Sequence, residues 1–262
     1  MSKNFELIQQ AGMERQVMPD SGMNAASPAT KRNGNGNGNG NGNGHRNGST
    51  LDLGRVAREE SLKLVQRIFR LQAGEPPHIV VFAGIDQGNG CSNICARAAQ
   101  TLASEIPGSV CLVDANLRSP SLPEFFGVTN HRGLTDALLE EGSVRDFAKQ
   151  LRPENLWLLS CGSLAADSPS LLNADRLRVR LAELREEFDH VLIDAPPLSQ
   201  YADAISLSQL TDGLVIVLEA NSTRRESAIK VMENVRRSDI QVLGAVLNKR
   251  TFPIPESLYH RL

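Results

Sequence analysis

From Leu51 onward, apolar residues fall into two alternating kinds of block. Val56, Leu62, Val65, Ile68 and Phe69 recur at helical spacing in a charged background, which predicts an amphipathic helix. Pro76-Pro77 ends it. Short, uninterrupted apolar runs then predict strands over Ile79–Ala83, Val110–Val113, Leu156–Leu159, Val191–Ile193, Leu214–Leu218 and Val242–Leu247. Between them, helical periodicity predicts helices over Ser92–Ser104, Ala174–Glu187 and Arg224–Arg237, with short ones over Leu134–Leu139 and Val144–Leu151. Strands without polar alternation are buried on both faces. The predicted fold is therefore α/β, a doubly wound, mostly parallel sheet with helices on both faces, three layers in all. Ligands of such sheets sit at the carboxyl ends of the strands. The segments after Ala83, Val113, Ile193 and Leu247 should converge there.

The first fifty residues follow neither pattern. Met1 to about Gln16 carries a weak apolar stripe, Phe5, Leu7, Ile8 and Ala11, which predicts a short helix. An Asn-Gly repeat runs from Asn33 to Gly44, a composition that favours turns and resists packing. The chain divides into a flexible N-terminal tail, 1–50, and one domain, 51–262. With 262 residues and a formal net charge of −2, there is room for a sizeable core and no general pull toward nucleic acid. No apolar run is long enough to span a bilayer, and no secretory leader opens the chain, so a cytoplasmic location is expected. The four cysteines, Cys91, Cys95, Cys111 and Cys161, suit thiols in a reducing compartment better than a disulfide framework.

Candidate chemistry lies at the strand ends. GIDQGNGCSN follows the first strand and opens a helix. Glycines at such a turn let backbone N–H groups face an anion, with the helix N-terminus behind them. Gly88, Asn89, Gly90, Cys91 and Ser92 are the candidate phosphate-binding residues. A phosphate loop also wants Lys as counter-charge and Ser or Thr toward magnesium. Ser92 is present, but Cys91 stands in the Lys position. A thiol at a helix N-terminus could instead have a depressed pKa and be reactive. Asp114 and Arg118 follow the second strand, Asp194-Ala195-Pro196-Pro197 a third, and Asn248-Lys249-Arg250 the last. As plain structural residues, the aspartates could cap helices, Arg118 could pair with a carboxylate, and Asn248 could shape a turn.

Taken together these segments are more specific. VCLVDANLRSPSLPEFFG and FDHVLIDAPPL resemble the second and third nucleotide motifs of the bacterial tyrosine kinases. HRGLTDALLEEGSVRDF, LNADRLRVRLAELREEFD and TDGLVIVLEANSTRRES follow the same family's course, from about Glu60 to Leu247. The resemblance implies a P-loop NTPase-like domain within the deviant-Walker ATPases, with ATP and magnesium as cofactors. Gly88, Asn89, Gly90, Cys91 and Ser92 would surround the phosphates, and Ser92 and Asp194 would hold magnesium. Asp114 and Arg118 would act near the reacting phosphate, and Asn248 near the adenine.

Several positions depart from that pattern. Cys91 replaces the loop lysine, Asp86 adds a carboxylate at the loop's mouth, and Asn116 replaces a second Asp. Losing one charge-assisted contact costs about 1.5–3 kcal/mol. The family's C-terminal tyrosine cluster is reduced to Tyr259, and its ring-forming helix motif reads Glu60-x-x-Lys63-x-x-Gln66. The expected function is a degenerate kinase-like module in capsule or exopolysaccharide synthesis and export, with weak or absent nucleotide binding. It would be recruited to the inner face of the plasma membrane by a membrane-anchored polysaccharide co-polymerase and could form homo-oligomers. An active tyrosine autokinase and a partition-type positioning ATPase are the alternatives.

Overall fold

A computed structural model of the chain describes residues 6–7, 53–70, 74–163 and 175–250. Its strands are β1 (Glu6–Leu7), β2 (Ile79–Gly84), β3 (Val110–Asp114), β4 (Lys149–Gln150), β5 (Leu156–Leu159), β6 (His190–Ala195), β7 (Gly213–Glu219) and β8 (Val242–Asn248). Its helices are α1 (Leu53–Phe69), α2 (Cys91–Glu105), α3 (Leu122–Phe125), α4 (Leu134–Leu139), α5 (Asp175–Glu187), α6 (Asp203–Ser208) and α7 (Arg225–Arg237). The strands form one sheet in the order β1-β8-β7-β2-β6-β3-β5-β4. All pairings are parallel except β4 with β5.

Strand alternation divides the core into two layers. Ile79, Val81 and Ala83 of β2, with Cys111 and Val113 of β3, pack toward one face with Leu134, Leu177, Leu181, Val231 and Val235. Val80, Phe82, Val110 and Leu112 pack toward the other with Leu64, Val65, Ile68, Ile94, Ala98 and Leu102 of α1 and α2. The three-layer, doubly wound expectation matches this arrangement. The inward stripe of α1 is Ala57, Ser61, Leu64, Val65, Ile68 and Phe69, whereas Leu62 is only half-buried.

Two expectations need correction. Val144–Leu151 is not a helix; a 3₁₀ turn over Val144–Phe147 leads into β4, which pairs antiparallel with β5 through Lys149 and Gln150. The open edge of β5 offers unpaired backbone groups, and an exposed, polar two-residue strand satisfies them. Near the N-terminus, Glu6 and Leu7 are extended and pair with Leu247 and Asn248 rather than forming helix. Again a sheet edge supplies backbone partners that a four-residue apolar stripe cannot replace. The rest of Met1–Gln16, the Asn-Gly repeat and Tyr259 lie outside the described residues. On α1, Lys63 pairs with Glu60 on the same helix.

Candidate functional site

The phosphate-loop candidate joins β2 to α2. Gly88 and Gly90 lie in the left-handed region, at φ 84° and 78°, where a side chain would be strained. Gly90 caps α2, and the amide of Ile94 makes the first helical bond back to its carbonyl. Among the described residues, the N–H groups of Gly88, Asn89, Gly90, Cys91 and Ser92 have no protein acceptor. Together with the start of the 15-residue α2, they form a nest suited to an anion.

The loop's shape is maintained by protein bonds. Asn89 is buried; its Oδ1 accepts the Asp86 N–H at 2.6 Å, and its Nδ2 donates to Thr223 Oγ1 at 3.4 Å. Asn248, also buried, donates from Nδ2 to the Asn89 carbonyl at 2.8 Å. Lys249 donates to the Gly88 carbonyl at 2.7 Å and pairs with Glu219 at 3.1 Å. Ser199 Oγ donates to Asp86 Oδ1 at 3.0 Å. The segment after β6 laces back to β2, since Leu198 and Ser199 donate to the carbonyls of Gly84 and Ile85.

A cleft of about 350 Å³ opens over this loop. Gly88, Asn89, Gly90, Cys91, Ser92 and Arg118 of the sequence-derived set line it, with Asp86, Asn116 and Tyr201. Arg118 pairs with the buried Asp203 at 3.1 Å and stacks over the Tyr201 ring at 4.0 Å. Its charge is thus already matched. Asn248 does not line the cleft; it ties the loop from behind. Sequence reasoning missed Ser199, Tyr201, Asp203, Glu219 and Thr223. Only the convergence of strand ends hinted at them, and Asp203 lies 85 residues from Arg118 in the chain.

Asp114 and Asp194 stand behind the cleft, both with no exposed surface. They are register partners at the ends of the adjacent parallel strands β3 and β6. By alternation they follow Leu112 and Leu192, so both side chains project toward the α2 layer. Asp114 accepts the N–H of Asn116 at 3.3 Å and of Leu122 at 3.2 Å. No donor reaches good hydrogen-bond geometry at either oxygen of Asp194, although the Ser92 hydroxyl and the Cys91 thiol lie beside it. Burial pushes the Asp194 carboxyl up, the Asp114 charge adds to it, and Ser92 and Cys91 beside it oppose the rise. Asp114 is also raised by burial, against the amides of Leu122, Asn116 and Ser121. An orphaned, buried carboxylate beside a serine hydroxyl and a second aspartate is an oxygen donor set that fits magnesium. Cys91 is no activated thiol: burial and the neighbouring Asp194 carboxylate push it well up.

The sequence model for "Cellulose biosynthesis protein BcsQ" matches residues 78–236, more than half of the chain. The tyrosine-protein kinase YwqD of Bacillus subtilis is 30% identical over 161 residues, 62% of this chain and 68% of that protein. The chain belongs to the bacterial tyrosine-kinase family. Among solved structures, the chimerical protein CapA2B2 superposes with a TM-score of 0.69 at 23% identity, over 75% of this chain and 86% of that one. More remotely, the septum site-determining protein MinD of Pyrococcus horikoshii, complexed with Mg-ADP, superposes at 0.56 with 22% identity, over 70% and 76%. Both structural likenesses confirm the P-loop fold. The loop amides, the aspartate pair and Ser92 come together at the carboxyl ends of β2, β3 and β6, while residue 91 brings no charge.

Proposed function

We propose that this member of the bacterial tyrosine-kinase family is a kinase-fold module of exopolysaccharide synthesis and export whose nucleotide chemistry has been weakened. It would act chiefly through binding a membrane-anchored co-polymerase at the inner face of the membrane. The observation that carries this reading is Cys91. Its thiol lies beside the Asp194 carboxylate where a loop cation would sit, while Arg118 and Lys249 are engaged by Asp203 and by Glu219 and Gly88. Asp86 adds a further negative charge to the cleft wall. The cellulose-biosynthesis description of the matching model and the tyrosine-kinase relatives support the pathway. Among the described residues no helix is long and apolar enough to cross a membrane, which is in keeping with recruitment through a partner. The organisation proposed is a tail over 1–50 and a P-loop domain over 51–262, with homo-oligomers formed by the domain.

The loop amides favour a second reading, an active autokinase or ATPase with reduced affinity. In either case the amides of Gly88–Ser92 would cradle the phosphates, Ser92 and Asp194 would hold magnesium, and Asp114 would orient the group that approaches the phosphate. Magnesium, when bound, supplies neutralising charge to the phosphate oxygens. Titration calorimetry with ATP and magnesium decides between the readings. The unmodified chain should bind weakly or not at all, and Cys91→Lys should tighten binding about ten- to a hundredfold. Micromolar affinity in the unmodified chain, or stoichiometric phosphate on Tyr259 by mass spectrometry, refutes the weakened module.

A further inference from the structure

We infer that a second cleft, between α1 and α2, binds a small polyhydroxylated carboxylate, of which a uronic acid is the simplest case. It shares no lining residue with the phosphate-loop cleft, and the inference goes beyond the function proposed above.

The cleft arises where small side chains line the meeting of the two helices. On α1, Ala57 and Ser61 are both buried and one turn apart. The Ser61 hydroxyl turns back on its own helix and donates to the Ala57 carbonyl at 2.9 Å. Side chains this small leave a hollow that larger ones would fill. Its volume is about 480 Å³, within the range of small-molecule sites, and Phe125 of α3 forms part of its wall.

The charges on the wall decide the class of ligand. Arg58 of α1 and Arg97 of α2 both line the cleft, and neither has an ion-pair partner among the described residues. In the phosphate-loop cleft, by contrast, Arg118 is matched by Asp203. A guanidinium presents a planar fork of donors that fits a carboxylate. Glu105 supplies the lining's carboxylate, a little over two turns beyond Arg97 on α2, about 12 Å along the helix. The cleft is therefore polarised along α2. Between these poles, the Gln100 amide and the Thr101 hydroxyl have no partner among the described residues, while the Ser104 hydroxyl is spent on the Gln100 carbonyl at 2.9 Å. A phosphate dianion would be repelled by Glu105, and a neutral sugar would leave both guanidinia without a counter-charge. A monocarboxylate with several hydroxyls meets both demands. Its carboxylate accepts from the arginines, and its hydroxyls donate to Glu105 and exchange bonds with Gln100 and Thr101. Phe125 is 38% exposed although it rests edge-on against Phe126 at 4.9 Å, so its ring is free to take the apolar C–H face of a sugar.

The test is a titration of the full, isotope-labelled chain with sodium glucuronate at constant ionic strength, followed by nitrogen–proton NMR. Saturable shifts are expected at the Gln100 side-chain amide and along α2 from Arg97 to Glu105, with a dissociation constant of about 10⁻³ M, the range open to a ligand of this size. Arg58→Met and Arg97→Met should each weaken binding about tenfold, the effect of losing one charge-assisted bond. Arg178→Met, an exposed change on α5, should leave it unaltered. Spectra that otherwise superpose establish that each variant is folded. Glucose, acetate and inorganic phosphate should all bind at least about tenfold more weakly than glucuronate. No saturation by glucuronate up to about 10⁻¹ M overturns the inference. Glucose binding as well as glucuronate also overturns it, because the charge is then not read. Acetate or phosphate binding as well reduces the cleft to a surface attractive to any anion, and equally refutes it. Unchanged affinity in both arginine variants does the same.

Discussion

Replacing Asp194 by Asn should stabilise the metal-free protein, contrary to the usual effect of changing a buried polar residue. In the native protein Asp194 is fully buried, has no donor in good hydrogen-bond geometry, and sits in register with Asp114. Two unit charges about 5 Å apart at an effective dielectric of about 20 repel by about 3 kcal/mol. The protein relieves this by holding a proton on the pair, which moves the same cost into protonation at neutral pH. Asn removes the charge, and its Nδ2 can donate toward the Asp114 carboxylate. The swap retains a buried amide oxygen, at a cost of about 1 kcal/mol. The net gain is therefore about 1–2 kcal/mol, a rise of about 2–8 °C in melting temperature for a domain of this size. The pH dependence provides a second readout. Both carboxyls are raised in the folded state, so the native protein binds more protons than the unfolded chain above the ordinary carboxylate range. Their contribution is fully present in acid and is lost as pH rises through the folded values. Urea unfolding in EDTA at pH 5, 6, 7 and 8 should show stability declining in the unmodified protein and a flatter profile in Asp194→Asn. A variant that is less stable than the parent at pH 8, with an unchanged slope, would refute the reasoning.

Arg180→Ala should cost about 3 kcal/mol in chemical denaturation, because Arg180 is buried and donates to the carbonyls of Ala137, Glu140 and Gly142 at 2.7–2.8 Å, which close the end of α4. Unchanged stability would mean that water replaces it freely. Lys249→Met should leave global stability within about 0.5 kcal/mol, since the side chain is partly exposed, yet speed hydrogen exchange of the bonded loop amides of Asp86 and Ile94 severalfold by freeing the Gly88 carbonyl and loosening the loop. Unaltered exchange there would show that Asn89 and Asn248 hold the loop without it.

Much of the fold was legible because its determinants are local. Val80, Val81, Phe82 and Leu112 lie in runs without polar alternation, and only a strand covered on both faces explains such runs. Helices at 3.6-residue spacing between them leave a parallel sheet as the economical solution, and strand ends then converge by topology. Elements too short to carry a period were not legible. Lys149–Gln150 became strand because β5 had an open edge, and Glu6–Leu7 because β8 had one; neither preference resides in those residues. At the site, sequence determined which chemistry could be present: the glycines at positive φ, Ser92, the two aspartates, and a thiol in place of a cation. Tertiary structure alone decided how those groups are spent. It paired Arg118 with Asp203, turned Asn248 and Lys249 onto the loop backbone, gave Asp114 two amides and gave Asp194 none. Residue type sets what a side chain can donate or accept. Whether that capacity is filled depends on neighbours brought together from β2, β3, β6 and β8, and electrostatic energy in a buried site follows those distances rather than sequence order.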